Sequence, residues 1–206
     1  RRKVTALVSD MNQPLGQAVG NAVEVREAIA TLHSEGPEDF YEHCLEVAGE
    51  MLRLGNKADT LDQGKTMIAQ AIASGEAWQK FRAMVEAQGG DVSMIDDPDR
   101  LPTAQIIETV PAPQSGYLAE VQTDQVGMAV VTLGGGREKK GDPIDHAVGL
   151  IMPCKVGDYI EEGQPLFTIH ANDPEHRDMA KARVLDALTF SEEEVEPLPL
   201  FYERVT

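Results

Sequence analysis

The chain is short of positive charge. Its 206 residues carry 18 Lys and Arg against 35 Asp and Glu, a formal net charge of −17. A surface of that sign repels phosphate backbones, so nucleic acid is not an expected partner. Cysteine is scarce too: Cys44 and Cys154 are the only two, and neither lies in a CxxC or His-flanked spacing. They are expected to be free thiols in a reducing cytosol, which makes the expected location cytoplasmic. No apolar run approaches the ~20 residues that cross a bilayer, so no membrane partner is expected. A signal-peptide pattern is also missing. The sequence has no initiator Met; it opens Arg1-Arg2-Lys3 and enters a strand-like run at once. That opening leads us to expect a piece of a longer protein.

What is present suffices for folding. Apolar residues make up 42% and charged residues 26%, a balance typical of globular chains and enough for one large domain or two small ones. Val4-Thr5-Ala6-Leu7-Val8 reads as a buried strand of the kind a parallel α/β sheet uses. Asn21, with Glu24 three residues on, resembles a capping box. Ala22, Val25, Ala28, Ile29 and Leu32 then recur at helical spacing until Gly36-Pro37. A second helix is predicted from Pro37, at its first turn, to about Leu54, with Gly55 and Asn56 as a left-handed cap. A third runs through Leu61, Met67, Ile68, Ala71 and Ile72, and a fourth through Trp78, Phe81, Met84 and Val85. Their Met and aromatic residues read as core.

Turn chemistry between Asp91 and Pro102 sets the expected domain boundary, dividing 1–100 from 101–206. Beyond it the pattern shifts to short strands at Ile106–Val110, Tyr117–Val121, Val148–Met152 and Pro165–His170. Helices are predicted at Thr123–Leu133 and from Pro174 to about Leu188, and a last strand near Phe201-Tyr202. The expected fold class is therefore an α/β part, mostly helices and the end of a parallel-sheet domain. An α+β C-terminal domain with a small antiparallel, barrel-sandwich-like sheet follows it.

The segment Asp10 to Glu27 joins a strand, a Pro14-Leu15-Gly16 turn and an acidic helix start. Pro lacks an N–H and Gly permits unusual dihedrals, so such a turn leaves carbonyls unpaired. The carbonyls of Leu15 and Ala18 can face one side, and the carboxylate of Glu27 can fold back to meet them. Hard cations take such oxygen donors. Spacing alone favours the plainer alternative, a simple turn followed by a solvated glutamate.

Thr5 to Gly16 and Gly20 to Ala28 closely resemble a segment of the pyrimidine nucleoside and thymidine phosphorylases. The resemblance continues at Gly36-Pro37-Glu38-Asp39, Gly127-Met128-Ala129, Gly134-Gly135-Gly136-Arg137, Asp142-Pro143-Ile144-Asp145, Val148-Gly149, Pro165-Leu166, Ile169-His170-Ala171 and Tyr202. It covers essentially the whole chain as the C-terminal half of such an enzyme. It implies a pentosyltransferase: phosphate, the co-substrate, attacks C1′ of a pyrimidine nucleoside to give free base and a pentose 1-phosphate. It also implies a potassium ion held in part by the Leu15 and Ala18 carbonyls and Glu27, and a homodimer. The family's phosphate- and base-holding residues precede the strand that opens this chain. No catalytic residue is therefore assigned, and the isolated chain is expected to be inactive. The Pro-Leu-Gly turn favours the pyrimidine-nucleoside form over the thymidine-specific bacterial form.

Gly134-Gly135-Gly136-Arg137-Glu138-Lys139-Lys140-Gly141-Asp142 could cradle phosphate, but no Gly-Lys-Ser/Thr follows; a glycine helix cap and charged loop is the favoured reading. Pro111–Tyr117 and Val156–Leu166 look like the hairpins of biotinyl and lipoyl carrier domains. Lys155 sits on the wrong flank for the modified lysine, so a carrier or interaction module is only the alternative. An anthranilate phosphoribosyltransferase relative is disfavoured by the C-terminal barrel-like half. His33, His43, His146, His170 and His176 make no metal spacing.

Overall fold

The computed structural model describes residues 3–206, leaving Arg1 and Arg2 outside. The chain divides into two compact units that exchange pieces of sequence. One comprises the residues up to Asp10, Glu27–Arg100 and Pro199–Thr206; the other comprises Met11–Arg26 and Leu101–Leu198.

The first unit is mainly helical. Strand β1 (Ala6–Ser9) pairs with β9 (Phe201–Val205), the last strand of the chain, and the pairing is antiparallel, with Ala6 opposite Val205. The parallel sheet that the sequence pattern suggested for β1 is thus not how it pairs here. Helix α1 (Ala22–Leu32) begins among the residues of the second unit and ends in the first. Helices α2 (Glu38–Leu54), α3 (Leu61–Ala73) and α4 (Glu76–Ala87) follow, then the short α5 (Ser93–Asp96). Pro37 is the N-cap residue of α2 rather than its first helical residue. At the other end Asn56 alone is left-handed, at φ 53°, while Gly55 has φ −79°. Helix α3 is capped by Thr60, whose hydroxyl accepts from the Gln63 N–H at 3.2 Å, offsetting one orphan donor of the first turn.

A charge cluster joins α2 to β9 within this unit. Glu50 is 3% exposed. Arg53 Nε lies 2.8 Å from its Oε2 and Arg204 Nε 3.0 Å from its Oε1. Arg204 also pairs with Glu46, which Lys65 reaches at 3.2 Å. A buried carboxylate is tolerable only because these cations lie against it.

The second unit holds two antiparallel sheets around one apolar core. Strands β2 (Ala18–Gly20), β5 (Gly149–Ile151), β7 (Pro165–Ala171) and β3 (Ile106–Pro111) form a four-stranded sheet in that spatial order. Strands β6 (Tyr159–Ile160), β4 (Gly116–Val121) and β8 (Leu188–Ser191) form the other. Helices α6 (Thr123–Thr132) and α7 (Pro174–Asp186) complete the unit. In β7, Phe167, Ile169 and Ala171 turn inward, as the two-residue period of a strand requires; in β4 a register shift between Leu118 and Glu120 breaks that alternation, so that Val121 follows Leu118 into the core. Leu118, Phe167 and Ile169 meet Val126, Leu150, Ile160 and Val184 in one cluster. Asp173 caps α7, its carboxylate accepting from the His176 N–H at 2.9 Å, with Pro174 at the first turn. That contact lowers the Asp173 pKa.

Among the described residues every strand pair is antiparallel. No helix among them is long and apolar enough to cross a membrane.

Candidate functional site

The opening segment is held by β5 and the loop that follows it. Strand β2, which the sequence pattern did not predict, lies beside β5 with Ala18 opposite Ile151 and Gly20 opposite Gly149. Three residues are too few to announce a strand; the pairing partner creates it. The two glycines permit a close approach. A Cβ on Gly149 would lie 2.7 Å from the Val19 carbonyl oxygen.

Upstream of β2 the chain turns at Gly16, which adopts a left-handed φ of 68°, the conformation for which Gly has least cost. The loop after β5 grips this turn at several points. The Met152 N–H donates to the Gln17 carbonyl at 2.7 Å. The Val156 N–H donates to the Gln13 side-chain carbonyl at 2.9 Å. The Lys155 ammonium donates to the carbonyls of Pro14, at 2.6 Å, and Gly16, at 2.5 Å. Hydrogen bonds to a charged group contribute about 1.5–3 kcal/mol each. Lys155 is itself fixed by a tight turn: its N–H donates to the Asp158 carboxylate at 2.8 Å, and the Asp158 N–H donates back to its carbonyl at 3.1 Å.

The capping box predicted at Asn21 and Glu24 is replaced by a different arrangement. Glu24 does reach back, but its carboxylate accepts from Gly20 N–H at 2.7 Å. The Asn21 side chain instead donates to the Gly135 carbonyl at 2.8 Å. The Ala22 N–H at the start of α1 finds the His146 carbonyl at 3.1 Å. Long-range partners have displaced the local cap.

The sequence-predicted site residues fall as follows. Leu15 and Ala18 lie on the gripped segment of the second unit, Leu15 36% exposed and Ala18 buried at the start of β2. Glu27 belongs to the first unit, on α1, where its backbone carbonyl accepts from the buried Thr31 hydroxyl at 2.8 Å. The donor set suits potassium chemically, being carbonyl and carboxylate oxygens only. Two other carbonyls of the turn, those of Pro14 and Gly16, accept from the Lys155 ammonium. Among the described residues no cluster of three His, Cys, Asp or Glu side chains could hold a metal ion.

The glycine-rich loop after α6 acts as a helix terminus. Gly134 N–H returns to Val131 O and Gly135 N–H to Val130 O, both at 2.9 Å. Arg137 Nε turns back to the Asp142 carbonyl at 3.1 Å, and the Lys139 N–H to the Asp142 carboxylate at 2.8 Å. The charged end of the loop thus closes on itself. Lys155 has its ammonium on two carbonyls rather than displayed on a hairpin tip as a carrier's modified lysine would be.

Burial shifts the pKa values of His170, Cys44 and Cys154. Burial, and then the nearby Arg26, pushes the His170 pKa below its ordinary value. Arg26 is itself anchored at 3.2 Å to the Leu101 carbonyl and at 3.2 Å to the Thr103 hydroxyl. Burial raises both free thiols, Cys44 and Cys154, the latter further through Asp158. Raised thiols are poor nucleophiles.

Lys155 as a partner of the Pro14–Gly16 turn is separated from it by some 140 residues, and no local pattern signals such a pair.

Two family descriptions match the sequence: "Glycosyl transferase family, a/b domain" over residues 2–78, and "Pyrimidine nucleoside phosphorylase C-terminal domain" over residues 117–191. The first match includes Met11–Arg26, which pack with the second compact unit. The chain is 43% identical over 205 residues to a pyrimidine-nucleoside phosphorylase of Geobacillus stearothermophilus, covering 100% of this chain and 47% of that protein. It is 44% identical over 196 residues to the protein of that name from Bacillus subtilis (strain 168), covering 95% of this chain and 45% of the relative. The corresponding Staphylococcus aureus (strain USA300) protein is 43% identical over 196 residues, with the same two coverages. The chain thus spans about half the length of the curated relatives it matches.

Proposed function

We propose, from the chain's membership of the pyrimidine-nucleoside phosphorylase family as its C-terminal part, that it belongs to an enzyme of phosphorolysis. Phosphate would attack C1′ of a pyrimidine nucleoside, breaking the glycosidic bond to give free base and a pentose 1-phosphate. The observation that carries this is the 43% identity along the whole chain.

The catalytic task is to hold phosphate in line with the glycosidic bond and to stabilise oxocarbenium-like charge. This chain supplies support for such a site. The α1 segment and the gripped turn contribute oxygen donors to a potassium ion: the carbonyls of Leu15 and Ala18 and the carboxylate of Glu27. When bound, the ion would supply a fixed positive charge at those oxygens. The two sheets of the second unit, sharing one core, support a barrel-sandwich-like reading of that unit. The full enzyme would act as a cytoplasmic homodimer, with the phosphate- and base-holding residues upstream of Arg1.

The test is release of free base from uridine and thymidine. The full-length protein should catalyse it with phosphate present, and the isolated 206-residue chain should not. Turnover by the isolated chain would overturn the supporting role assigned to it.

A further inference from the structure

The potassium reading names Leu15 and Ala18 as donors but leaves open what aims their carbonyls. A short Pro/Gly turn is not rigid by itself. Each peptide group is planar, so orienting a carbonyl means fixing a whole peptide plane. The Leu15 carbonyl belongs to the plane between Leu15 and Gly16. The planes on either side of it end in the Pro14 and Gly16 oxygens, and one ammonium, that of Lys155, holds both, at 2.6 Å and 2.5 Å. The plane between Gln17 and Ala18 is held through the Gln17 oxygen by Met152 N–H at 2.7 Å. Ala18 then enters the ladder opposite Ile151. Lys155 extends from a backbone pinned by Asp158 at 2.8 Å.

We infer that Lys155 is a positioning residue for the cation-binding turn, fixing the direction of the Leu15 carbonyl by clamping the peptide planes on either side of it. This rests on the potassium reading for its consequence, though not for the clamp. The clamp and the ion oppose each other electrostatically, because an ammonium close by disfavours a second cation. That opposition makes the inference testable by sign. If Lys155 acted only through its charge, removing it would tighten potassium binding. If it positions the donors, removing it weakens binding.

The experiment compares wild-type and Lys155→Met full-length protein in two measurements. The first is a potassium titration of phosphorolysis against a sodium background. We expect the half-saturating potassium concentration to rise at least tenfold, with kcat at saturating potassium within about twofold of wild type. An unchanged or lower half-saturating concentration overturns the inference. The second is hydrogen exchange of peptides covering residues 13–18 without potassium. We expect exchange at least fivefold faster in the variant, with the α3 and α4 peptides unchanged; equal exchange in the turn also overturns it. Should Lys155→Met fail to fold, Lys155→Gln, which keeps a single neutral donor group, is read in the same way. A wild-type protein that ignores potassium defeats the potassium reading, and the exchange measurement then decides the clamp by itself.

Discussion

The side-chain amide of Asn21 donates to the backbone carbonyl of Gly135 at 2.8 Å, joining the start of α1 to the glycine-rich loop after α6. Two motifs separated by more than a hundred residues are thereby one structural feature. The loop's glycines end a helix, and the carbonyl they expose is claimed by the residue that would otherwise have capped α1.

Replacing Asn21 tests that link. Asn21→Ala leaves a part-buried carbonyl without its donor and should lower stability by about 1–2 kcal/mol. Asn21→Asp should cost more, because a carboxylate oxygen would then face the Gly135 oxygen. Thermal unfolding should order the three proteins as wild type, then Ala, then Asp, with about 2–4 °C per kcal/mol for a chain of this size.

Gly149 tests the close approach of β2 and β5. An added Cβ would meet the Val19 oxygen at 2.7 Å and Val23 Cγ2 at 2.8 Å. Gly149→Ala should therefore destabilise by about 1–3 kcal/mol through backbone displacement. Gly163→Ala serves as a comparison without a clash: nothing lies within 4 Å of its Cβ position, and only its φ of +83° opposes the change. Chemical denaturation should show a larger fall for Gly149→Ala.

Glu50 tests the charge cluster of the first unit. Its partners Arg53 and Arg204 are 34% and 38% exposed, so water screens part of their attraction. Removing one member of a fully buried pair costs about 3–5 kcal/mol; with this exposure, Glu50→Ala should cost about 1–3 kcal/mol. Arg204→Ala should loosen β9 in particular, seen as faster hydrogen exchange over Phe201–Val205 with little change in α4.

His170 sets a pH dependence. Its pKa in the folded protein lies below its ordinary value, because burial and Arg26 disfavour the imidazolium. The unfolded chain therefore binds the proton more readily, and stability should fall as pH drops below about 6.5. The loss should level off below the folded pKa. His170→Gln should flatten that slope; an equally steep decline in the variant would show that other groups carry it.

Glu27 tests the potassium reading. In the full-length protein Glu27→Gln removes the charged donor and should weaken the potassium dependence of activity and of thermal stability. An unchanged potassium response would count against Glu27 as a ligand.

The helices α1 to α4 could be read from the sequence because their signals are local. Apolar residues recur every three or four positions, and Gly, Pro or Asn56 mark the ends. Strands β3, β4 and β7 were legible for the same reason. The motifs along the chain likewise carried the resemblance to the pyrimidine nucleoside phosphorylases, and that resemblance, not the spacing, put forward Leu15, Ala18 and Glu27 as a donor set.

The partners of those elements could not be read. That β1 pairs with β9 depended on where the last residues of the chain went, and no periodicity encodes that. Strand β2 exists because Gly20 and Gly149 permit backbone contact. Asn21 abandoned its cap for Gly135, and Lys155 found the Pro14 and Gly16 carbonyls across the sequence. By itself the sequence determined the main helices and the longer strands. Only the tertiary structure decided which carbonyl meets which donor, because a hydrogen bond is set by distance in space rather than by separation along the chain.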